Sequence, residues 1–495
     1  MSVTTLVKTI QDIMRKDTGV DGDAQRISQM VWMMFMKIFD DREKEWETLD
    51  PDYDSPIPTR FRWRNWAANP EGETGDDLIE FVNNEMFPKL KSLATSAGSD
   101  KRAQVVGSMF EDGYNYMKNG TLLRQVANKI EDDIDFTTRK DRHLLGDIYE
   151  KILKDLQSAG NAGEYYTPRA VTQFIVERVD PRLGETVLDP ACGTGGFLAC
   201  VIDHLEQTKQ IKTADDKRAM EQALCGIEKK PLPHMLATTN MLLHGIDDPS
   251  FIHRDNYLAK SYTSWGPKDR VHCIVTNPPF GGMEEDGTEN QFPQNFRTRE
   301  TADLFLALII RLLRPGGRAG MVLPDGSLFG EGVKTRIKEH LLEECNLHTI
   351  VRLPNGVFNP YTGIKTNLLF FTKGEPTKTV WYYEHTYPQG VKSYNKTRPI
   401  QIDEFKPIAQ WWGKDTPAGR ARRKESEFAW AVSIDDIKAG GYNLDIKNPN
   451  AAAARHGDPD ELLADYKELL KSVAQARDAL KNELAAALES AGGAS

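Results

Sequence analysis

The chain has 495 residues, of which 39% are hydrophobic and 27% charged, and its formal net charge is −10. This length allows two or three domains with separate cores, and the lack of an apolar run of 18 or more residues excludes a predicted membrane-spanning helix. The negative charge argues against a protein that grips nucleic acid over most of its surface. It still permits a local basic cleft or a partner that supplies positive charge.

The cysteines and the N-terminal stretch indicate a cytoplasmic protein. None of the five cysteines forms a C-x-x-C pair, so reduced thiols are expected and a zinc site is not. The stretch MSVTTLVKTIQDIMRKD is amphipathic and lacks the apolar region and cleavage site of a signal peptide.

Residues 1–130 show mainly helical periodicity. Apolar residues recur at helical spacing over 6–14 and again over 27–39, and segments 76–95 and 119–133 also read as helices. The methionine-rich segment 27–39 is typical of a buried helix in a bundle, although such a segment can also form a partner-binding surface.

A loop between the first helices interleaves arginines with aromatic residues in the sequence RFRWRNW, residues 60–66. That pattern is compatible with contact to nucleic acid. It is equally compatible with a short strand that has one charged and one apolar face.

Residues 142–158 predict another amphipathic helix, and a loop rich in Gly, Ala and Asn follows it. Thr167 and Pro168 then mark a helix start, with Thr167 as the cap and Pro168 at the first helical position. This helix is expected to run to about Val179.

From residue 186 onward, short apolar runs alternate with helical patterns, which predicts a doubly wound, mainly parallel α/β sheet. The expected strands are 186–188, 223–228, 251–254, 271–276, 318–323, 348–353 and 367–371, and the expected helices are 197–208, 231–244, 302–313 and 333–343. Residues 374–455 are less regular. The polar segment 281–300, between the expected strand 271–276 and the expected helix 302–313, has little regular pattern and is expected to form a mobile lid.

The turn DPACGTGG, residues 189–196, follows a strand and opens a helix. Glycines there let the backbone approach a ligand closely, and Glu228 ends the next strand in the place that typically binds a ribose hydroxyl pair. The segment GSLFGEGVKT fails the P-loop spacing, so the nucleoside ligand need not carry phosphates. From the turn alone, a nicotinamide cofactor and a purely structural turn both remain open.

The segment VHCIVTNPPF, residues 271–280, is a predicted buried strand that runs into Asn-Pro-Pro-Phe. Two prolines stiffen the turn and remove two backbone donors. The Asn277 side chain offers an acceptor, and Phe280 offers a flat face. This set suits a planar group that carries an exposed NH2, such as a nucleobase edge or a carboxamide.

Together these motifs resemble those of S-adenosylmethionine-dependent amino-methyltransferases, and the chain resembles the modification (M) subunit of type I restriction-modification systems. DPACGTGGF (189–197) is similar to the family's cofactor turn, EYYTPR (164–169) to its upstream motif, and TNPPFGG (276–282) to its catalytic motif. GIKTNLLFF (363–371) and GYNLD (441–445) are similar to late family segments. The cofactor turn precedes NPPF with no recognition domain between them, which is the γ arrangement.

The resemblance implies a Rossmann-like methyltransferase sheet with a helical N-terminal domain, and transfer of a methyl group from S-adenosylmethionine to N6 of a flipped-out adenine. Asn277 and the Pro278 carbonyl would accept the two hydrogens of the amine, and Phe280 would stack on the base. No metal or general base is demanded. The implied catalytic residues are Asn277, Pro278, Pro279 and Phe280, and the implied cofactor residues are Glu164, Tyr165, Tyr166, Thr167, Pro168, Arg169, Asp189, Gly193, Thr194, Gly195, Gly196, Glu228 and Asp255.

Within the cofactor set, Glu228 would hold the ribose hydroxyls and Asp255 the adenine amino group. Residues 165–169 would line the pocket, where an aromatic ring could meet the sulfonium. Asp255 is also compatible with an ordinary turn after a strand.

The C-terminal residues 459–488 place apolar side chains at steps of three and four along one helix. We expect this helix to dock a partner, although it could pack on its own domain. The chain then divides into a helical domain (1–135), a methyltransferase domain (140–455) and a docking helix (456–495).

Little chain is left for reading DNA, so a separate specificity subunit is expected to do so. The resemblance implies that two M copies flank this subunit, that a restriction subunit joins them, and that double-stranded DNA is the substrate.

Three other functions fit parts of the pattern. Cytosine N4 methylation uses a similar pocket, usually with Ser at the position of Asn277. Glutamine N5 methylation of a protein also uses an NPP-aromatic pocket, but the Tyr-Thr-Pro motif and the large helical domain argue against it. A non-enzymatic assembly subunit would predict a broken catalytic motif, whereas NPPF is intact.

Overall fold

The computed structural model describes residues 3–95, 100–111, 113–134, 166–395, 397–414, 416–450 and 459–492. The N-terminal part is helical, and a π-helical turn at Phe81–Met86 joins its fourth and fifth helices. Its helices are α1 (Val3–Met14), α2 (Asp23–Leu49), α3 (Trp63–Trp66), α4 (Gly75–Glu80), α5 (Phe87–Ser92), α6 (Lys101–Glu111) and α7 (Gly120–Asp133).

Helix α2 is the centre of this region. Its methionines Met30, Met33, Met34 and Met36 are buried in the N-terminal hydrophobic core, so the interpretation as a core helix is confirmed. The helix also buries Lys37, whose ammonium contacts carboxylates of Asp41 at 3.1 Å and Glu131 at 3.0 Å. A buried charge needs such partners, because removing it from water costs on the order of several kcal/mol when it stays unpaired.

The interleaved segment 60–66 forms neither a strand nor a free basic surface. It folds as a 3-10 turn (Thr59–Phe61) followed by α3, and Trp63 and Trp66 are buried. Arg64 is paired with Asp40 at 2.8 Å and Glu47 at 2.7 Å. The strand prediction was wrong because the tryptophan rings pack into a helical core, while Arg62 and Arg64 pair with carboxylates of α2.

The second part is built on one nine-stranded sheet with the order β3-β2-β1-β4-β5-β7-β6-β8-β9. Strands β7 and β9 run antiparallel to their neighbours, and the other neighbouring pairs are parallel. The predicted mainly parallel α/β sheet is therefore confirmed. The strands are β1 (Val187–Asp189), β2 (Leu224–Glu228), β3 (Ile252–Arg254), β4 (Val271–Thr276), β5 (Leu313–Pro324), β6 (Cys345–Arg352), β7 (Thr366–Lys373), β8 (Thr379–Glu384) and β9 (Ala429–Ser433).

The sheet has an apolar core on each face. In β4, Cys273 and Val275 join one core, while Ile274 joins the other, as the two-residue period of a strand requires. Both cores are covered by helices, which explains why the strands read as continuous apolar runs. The helices of this part are α8 (Arg169–Val179), α9 (Gly196–Gln207), α10 (Ala214–Ala223), α11 (Pro231–Leu243), α12 (Thr301–Leu312), α13 (Asp325–Phe329), α14 (Val333–Glu344), α15 (Lys406–Trp412), α16 (Pro417–Arg420), α17 (Ile434–Ala439) and α18 (Pro459–Gly492).

Several elements differ from the sequence prediction. Helices α6 and α10 and strands β8 and β9 were not predicted, so the expectation that the last strand ends near Phe371 was wrong. Helix α8 begins at Arg169 with Pro168 as its N-cap, one position later than expected, which frees Thr167 from capping. The predicted helix at 142–158 lies outside the described residues.

The helical region and the sheet region share a core through α11. Met235, Leu236, Leu242 and Leu243 of that helix belong to the N-terminal hydrophobic cluster, whereas its Ala237 and Met241 belong to the sheet cluster. Helix α11 is therefore held between the two parts of the chain.

A polar contact reinforces this junction just beyond α11. The Asp247 carboxylate accepts hydrogen bonds from Trp46 Nε1 of α2 at 3.0 Å and from Lys217 Nζ of α10 at 2.7 Å, and it pairs with Arg42. Burial alone raises the pKa of Asp247, but the Arg42 and Lys217 charges outweigh it and hold that pKa below its usual range. Three elements thus converge on one ionised carboxylate.

The C-terminal helix α18 begins at Pro459, as predicted. Its apolar residues remain exposed, among them Tyr466, Leu469, Val473 and Leu480. Among the helices that the structure describes, none is both long and apolar enough to cross a membrane.

Candidate functional site

The site lies where β1, β2 and β4 end, at the edge of the sheet expected for ligands of open parallel sheets. A cavity opens there between the glycine-rich turn and the NPPF segment. Its walls include eight of the predicted site residues and several that the motifs did not indicate. The lining side chains and backbone atoms come from Thr167, Thr172, Pro190, Ala191, Cys192, Gly193, Thr194, Gly196, Phe197, Ile227, Glu228, Lys229, Lys230, Asp255, Asn256, Tyr257, Asn277, Pro279, Gly282, Met283, Glu284, Thr301 and Phe305.

The glycine-rich turn is shaped by two residues with positive φ, Gly193 at 53° and Gly195 at 76°. A Cβ atom on Gly195 would lie 3.2 Å from Met241 Cε and 3.3 Å from Ala237, so this glycine lets the turn pack directly on α11. The backbone carbonyl of Thr194 accepts a hydrogen bond from Asn240 Nδ2 at 3.0 Å. Helix α11 thereby fixes the turn from behind.

Glu228 at the end of β2 ties this turn to the neighbouring strand. Its carboxylate accepts hydrogen bonds from the backbone N–H of Gly193 at 3.0 Å and of Lys230 at 2.7 Å. Burial raises the pKa of Glu228 to about 7, against the lowering effect of these N–H groups. The carboxyl is therefore poised to change charge near neutral pH while facing the cavity.

Asp189 at the end of β1 lies deeper than expected and is not part of the cavity wall. It is fully buried, and its carboxylate accepts a hydrogen bond from the backbone N–H of Ala191 at 3.2 Å. Burial raises the pKa of Asp189 to about 7, and the Thr276 hydroxyl and the Ala191 N–H oppose the shift. Its position makes it a support for the turn.

Asp255 follows β3 and does line the cavity. One carboxylate oxygen accepts a hydrogen bond from the backbone N–H of Asn256 at 2.8 Å, and the other pairs with Lys260. Asp255 N–H in turn donates to the Glu228 carbonyl at 3.1 Å, so the two acidic residues stand on adjacent strand ends.

Asn277 is held by a contact that the sequence did not reveal. Its Nδ2 donates to the Thr167 hydroxyl at 2.8 Å. Its Oδ1 is buried and has no hydrogen-bond partner among the described residues. Because the nitrogen is already engaged, the oxygen is the group that this side chain offers to a ligand.

The rest of NPPF is divided between the cavity and the core. Pro279 lines the cavity, whereas Pro278 and Phe280 are buried beside it. The Phe280 ring meets the ring of Phe358 edge to face, with centroids 5.5 Å apart and planes at 79°. The predicted flat face of Phe280 thus occurs as half of an aromatic pair.

The upstream motif is only partly brought to the cavity. Glu164 and Tyr165 lie outside the described residues. Tyr166 is buried in the N-terminal core, Pro168 caps α8, and Arg169 pairs with Asp203 of α9. Of the described residues in this motif, Thr167 is the one on the cavity wall.

The loop 281–300 closes one side of the cavity and is anchored at both ends. Glu284 contacts the Lys229 ammonium at 3.2 Å and accepts a hydrogen bond from the Thr301 hydroxyl at 3.2 Å. Met283 pairs with Glu300 in an isolated antiparallel bridge. The loop's mobility stays a prediction.

Several cavity residues were missed by sequence reasoning. Tyr257 and Phe305 supply aromatic surface to the cavity, and Asn240, which is not part of the cavity wall, supports the turn from within an apolar helix. A buried asparagine in such a helix is the one pattern that could have indicated Asn240, because a buried amide requires a polar partner. Among the residues that the structure describes, no cluster of three or more His, Cys, Asp or Glu is arranged to hold a metal ion.

Comparison with known proteins gives consistent matches over the length of the chain. Residues 140–458 match the family model described as N-6 DNA Methylase, and residues 4–130 match that of the HsdM N-terminal domain. The methylase subunit of type I restriction enzyme EcoEI from Escherichia coli is 59% identical over 488 residues, which are 99% of each chain. That of StySJI from Salmonella typhimurium is 31% identical and covers 78% of this chain and 75% of its own.

Solved structures agree with these relatives. A modification subunit from Vibrio vulnificus YJ016 has a TM-score of 0.79 and 43% sequence identity, covering 91% of this chain and 97% of that one. A chain from a study of complex assembly and conformational transition of the type I R-M system has a TM-score of 0.78 and 34% identity, covering 97% and 98%.

Proposed function

Because this chain belongs to the N-6 DNA methylase family, among the methylase subunits of type I restriction enzymes, we propose that its cavity methylates N6 of an adenine flipped out of double-stranded DNA. The enzyme is an adenine-specific DNA methyltransferase. The observation that carries the site assignment is the buried Oδ1 of Asn277, which has no partner among the described residues, because Asn277 lines a cavity whose other end is the glycine-rich turn.

The residues present fit S-adenosylmethionine. The turn at Gly193–Gly196 offers a backbone cradle, and a Cβ added to Gly196 would meet its nearest atom at 4.0 Å, so space remains in front of it. Glu228 would accept from the ribose hydroxyls, and Asp255 from the adenine amino group. When bound, the cofactor supplies an electrophilic methyl group on a sulfonium.

Asn277 prepares the amine for attack. The lone pair of an adenine N6 is delocalised into the ring, so the nitrogen is a poor nucleophile. Asn277 Oδ1 and the Pro278 carbonyl accept its two hydrogens, which favours a pyramidal nitrogen and stabilises the positive charge that develops. The hydrogen bond to Thr167 holds the amide of Asn277 in place and leaves Oδ1 without a partner among the described residues. The rest of the rate enhancement then comes from positioning.

The base must leave the duplex to reach this depth, so base flipping is part of the proposal. We assign stacking on the flipped base to Phe280, whose ring lies beside the cavity and is supported edge to face by the buried ring of Phe358. Phe358 comes from the loop after β6, which the sequence did not connect with NPPF.

The partners follow from the division of the chain. We infer a helical domain (1–135), a methyltransferase domain (140–455) and a docking helix (456–495). Sequence reading falls to a specificity subunit flanked by two copies of this chain, with a restriction subunit joining the assembly. The exposed apolar stripe of α18 supports a docking role.

The test is Asn277→Ala in the complex with the specificity subunit. We expect methyl transfer to DNA to fall by at least about a hundredfold, the scale of losing one transition-state acceptor, while S-adenosylmethionine binding by calorimetry persists. Transfer at the wild-type rate would refute the role of Asn277. Asn450→Ala, which removes an exposed asparagine bonded to Ser426, is the matched control.

Sequencing of modified bases in DNA from cells that carry this chain, with and without its specificity subunit, tests the product. N6-methyladenine at one sequence, dependent on the partner, is expected. N4-methylcytosine, or modified protein with unmodified DNA, would contradict the proposal.

A further inference from the structure

Exposed apolar side chains are concentrated at the catalytic edge of the sheet. Outside α18, the described residues include five large apolar side chains that are strongly exposed, Leu49, Tyr114, Met283, Phe329 and Ile364. Three of these five follow or precede strand ends at this edge. Met283 lies past β4, Phe329 closes α13 after β5, and Ile364 precedes β7. Single exposed apolar residues are ordinary, but three beside strand ends at one edge of the sheet call for a partner.

Ile364 is connected to the NPPF segment by successive contacts. The Phe280 ring packs on Phe358. The carbonyl of Phe358 accepts a hydrogen bond from the backbone N–H of Thr362 at 3.2 Å, and the hydroxyl of Thr362 accepts one from the backbone N–H of Ile364 at 3.1 Å. The loop that packs on Phe280 through Phe358 thus ends on an exposed isoleucine.

The next residue, Lys365, adds a positive charge to the same point. Its carbonyl accepts a hydrogen bond from the backbone N–H of Asp325 at 3.0 Å, which fixes the loop against the end of β5. Its side chain is exposed, and in the described part of the chain its ammonium has no ion-pair partner. An apolar side chain beside a free cation matches the surface of DNA, where stacked bases lie next to phosphates.

Extrusion of a base leaves a gap in the stack. Proteins that distort DNA commonly fill or open such gaps with apolar wedges, and the unstacking costs a few kcal/mol per step in general estimates. An isoleucine suits this role because β-branching leaves its χ1 stiff, so little rotamer entropy is lost on insertion.

We propose that Ile364 enters the base stack beside the target adenine and fills the gap that flipping leaves, while Lys365 pairs with a flanking phosphate. This inference rests on the proposed base flipping. The DNA duplex is favoured over a protein partner as the occupant, because the isoleucine is joined through Thr362 to the Phe280–Phe358 pair and is followed by a cation with no ion-pair partner among the described residues.

The test uses the complex with the specificity subunit and a duplex that carries 2-aminopurine at the methylated position found by sequencing. S-adenosylhomocysteine is added so that no transfer occurs. Fluorescence of 2-aminopurine rises when the base leaves the stack. We expect Ile364→Ala to lower the flipped fraction or its rate about tenfold, and Ile364→Leu to restore most of it.

A second duplex separates a wedge from a general structural role. With an abasic site opposite the target, flipping no longer breaks a base pair and needs less help from the protein. Ile364→Ala should then flip the base nearly as well as the unsubstituted protein. Leu49→Ala is the control, because Leu49 is an exposed side chain of similar size at the end of α2. It should leave base flipping unchanged in both duplexes.

Three results would overturn the wedge. The first is unchanged flipping by Ile364→Ala on paired DNA, and the second is a defect that the abasic duplex does not repair. The third is loss of the specificity subunit from the Ile364→Ala complex in gel filtration, which would make this rim a protein interface. A flat signal from the unsubstituted complex would instead refute base flipping, and the wedge with it.

Lys365 has its own measurement. Neutralising one phosphate contact lowers the slope of log affinity against log salt by about 0.9. Lys365→Gln should therefore weaken DNA binding and reduce that slope by about this amount, and an unchanged slope would remove the phosphate contact from the proposal.

Discussion

The Asn277 amide nitrogen donates to the Thr167 hydroxyl at 2.8 Å, although 110 positions separate the two residues. Asn277 directly follows strand β4, and Thr167 stands two positions before helix α8. In the structure this bond engages the amide nitrogen and leaves Oδ1 without a partner among the described residues.

Thr167→Val should therefore impair chemistry more than cofactor binding. Without the hydroxyl, the Asn277 amide loses its anchor and can rotate, and a misoriented group typically costs about tenfold to a hundredfold in rate. We expect that loss in single-turnover methylation, with the dissociation constant for S-adenosylmethionine changed less than about threefold by the same reasoning. Thr167→Ser keeps the hydroxyl and should keep the rate. Equal losses in both variants would show that the hydrogen bond is unimportant.

Cofactor affinity should depend on pH through Glu228. Burial raises the pKa of Glu228 to about 7, and ribose hydroxyls donate to the ionised form. Binding therefore strengthens as pH rises through about 7 and levels off above it, by about tenfold between pH 6 and pH 8 for one group. Calorimetric titration across this range measures it. Glu228→Gln should bind more weakly with a flat profile, whereas an unchanged profile in that variant would assign the titration to Asp189, whose pKa is also raised to about 7.

Asn240→Ala should loosen the cofactor turn. The Thr194 carbonyl loses its buried donor, at a cost of about 1–2 kcal/mol, or roughly tenfold in cofactor affinity. Hydrogen exchange of the Gly193–Gly196 amides in the ligand-free protein should speed up in parallel. Asn448→Ala removes another asparagine-to-carbonyl bond, to Glu427, at the far edge of the sheet, and serves as the control. Slow exchange retained in Asn240→Ala would contradict the positioning role.

The Asp247 junction should contribute measurably to stability. Arg42 is nearly buried, but Asp247 is about one-third exposed, so we expect Asp247→Ala to lower the free energy of unfolding by about 1–3 kcal/mol. Urea unfolding followed by far-UV circular dichroism measures it. Glu85→Ala breaks an exposed pair with Arg60 and should cost less than about 1 kcal/mol. Similar losses of unfolding free energy in the two variants would show that the junction contributes no more than an exposed ion pair.

The exposed apolar residues of α18 should be needed for assembly with a partner and not for the stability of the isolated chain. Replacing Leu469, Val473 and Leu480 by Glu, or deleting residues 458–495, should weaken the complex with the specificity subunit, because the exposed stripe is what a partner can bury. The melting temperature of the isolated chain should hardly move. Glu468→Ala with Lys471→Ala alters the opposite side of the helix and is the control. An intact complex after deletion would exclude docking through this helix.

Much of the sheet could be predicted because its strands are buried on both faces and read as uninterrupted apolar runs. Strands β8 and β9 were missed because they lie toward one edge of the sheet, where exposed positions break the run and glycine and proline stand nearby. Helix α10 was missed for a related reason, since Met220 is its one buried residue and no apolar stripe results.

The candidate site was predictable as separate pieces. Local patterns placed Asn277 after a strand and Glu228 at the end of another, because each depends on its own neighbours in the chain. The bond from Asn277 to Thr167 and the Phe280–Phe358 pair depend on how distant segments meet, and no local spacing encodes that.

Helix α11 packs on both hydrophobic clusters, and this has a consequence for folding during synthesis. Met235, Leu236, Leu242 and Leu243 find their neighbours in helices that leave the ribosome before α11 does. In this order of synthesis, the apolar residues on which α11 packs have already been made when α11 emerges. Moving the helical region behind the catalytic one by circular permutation would leave that face bare during synthesis and invite aggregation.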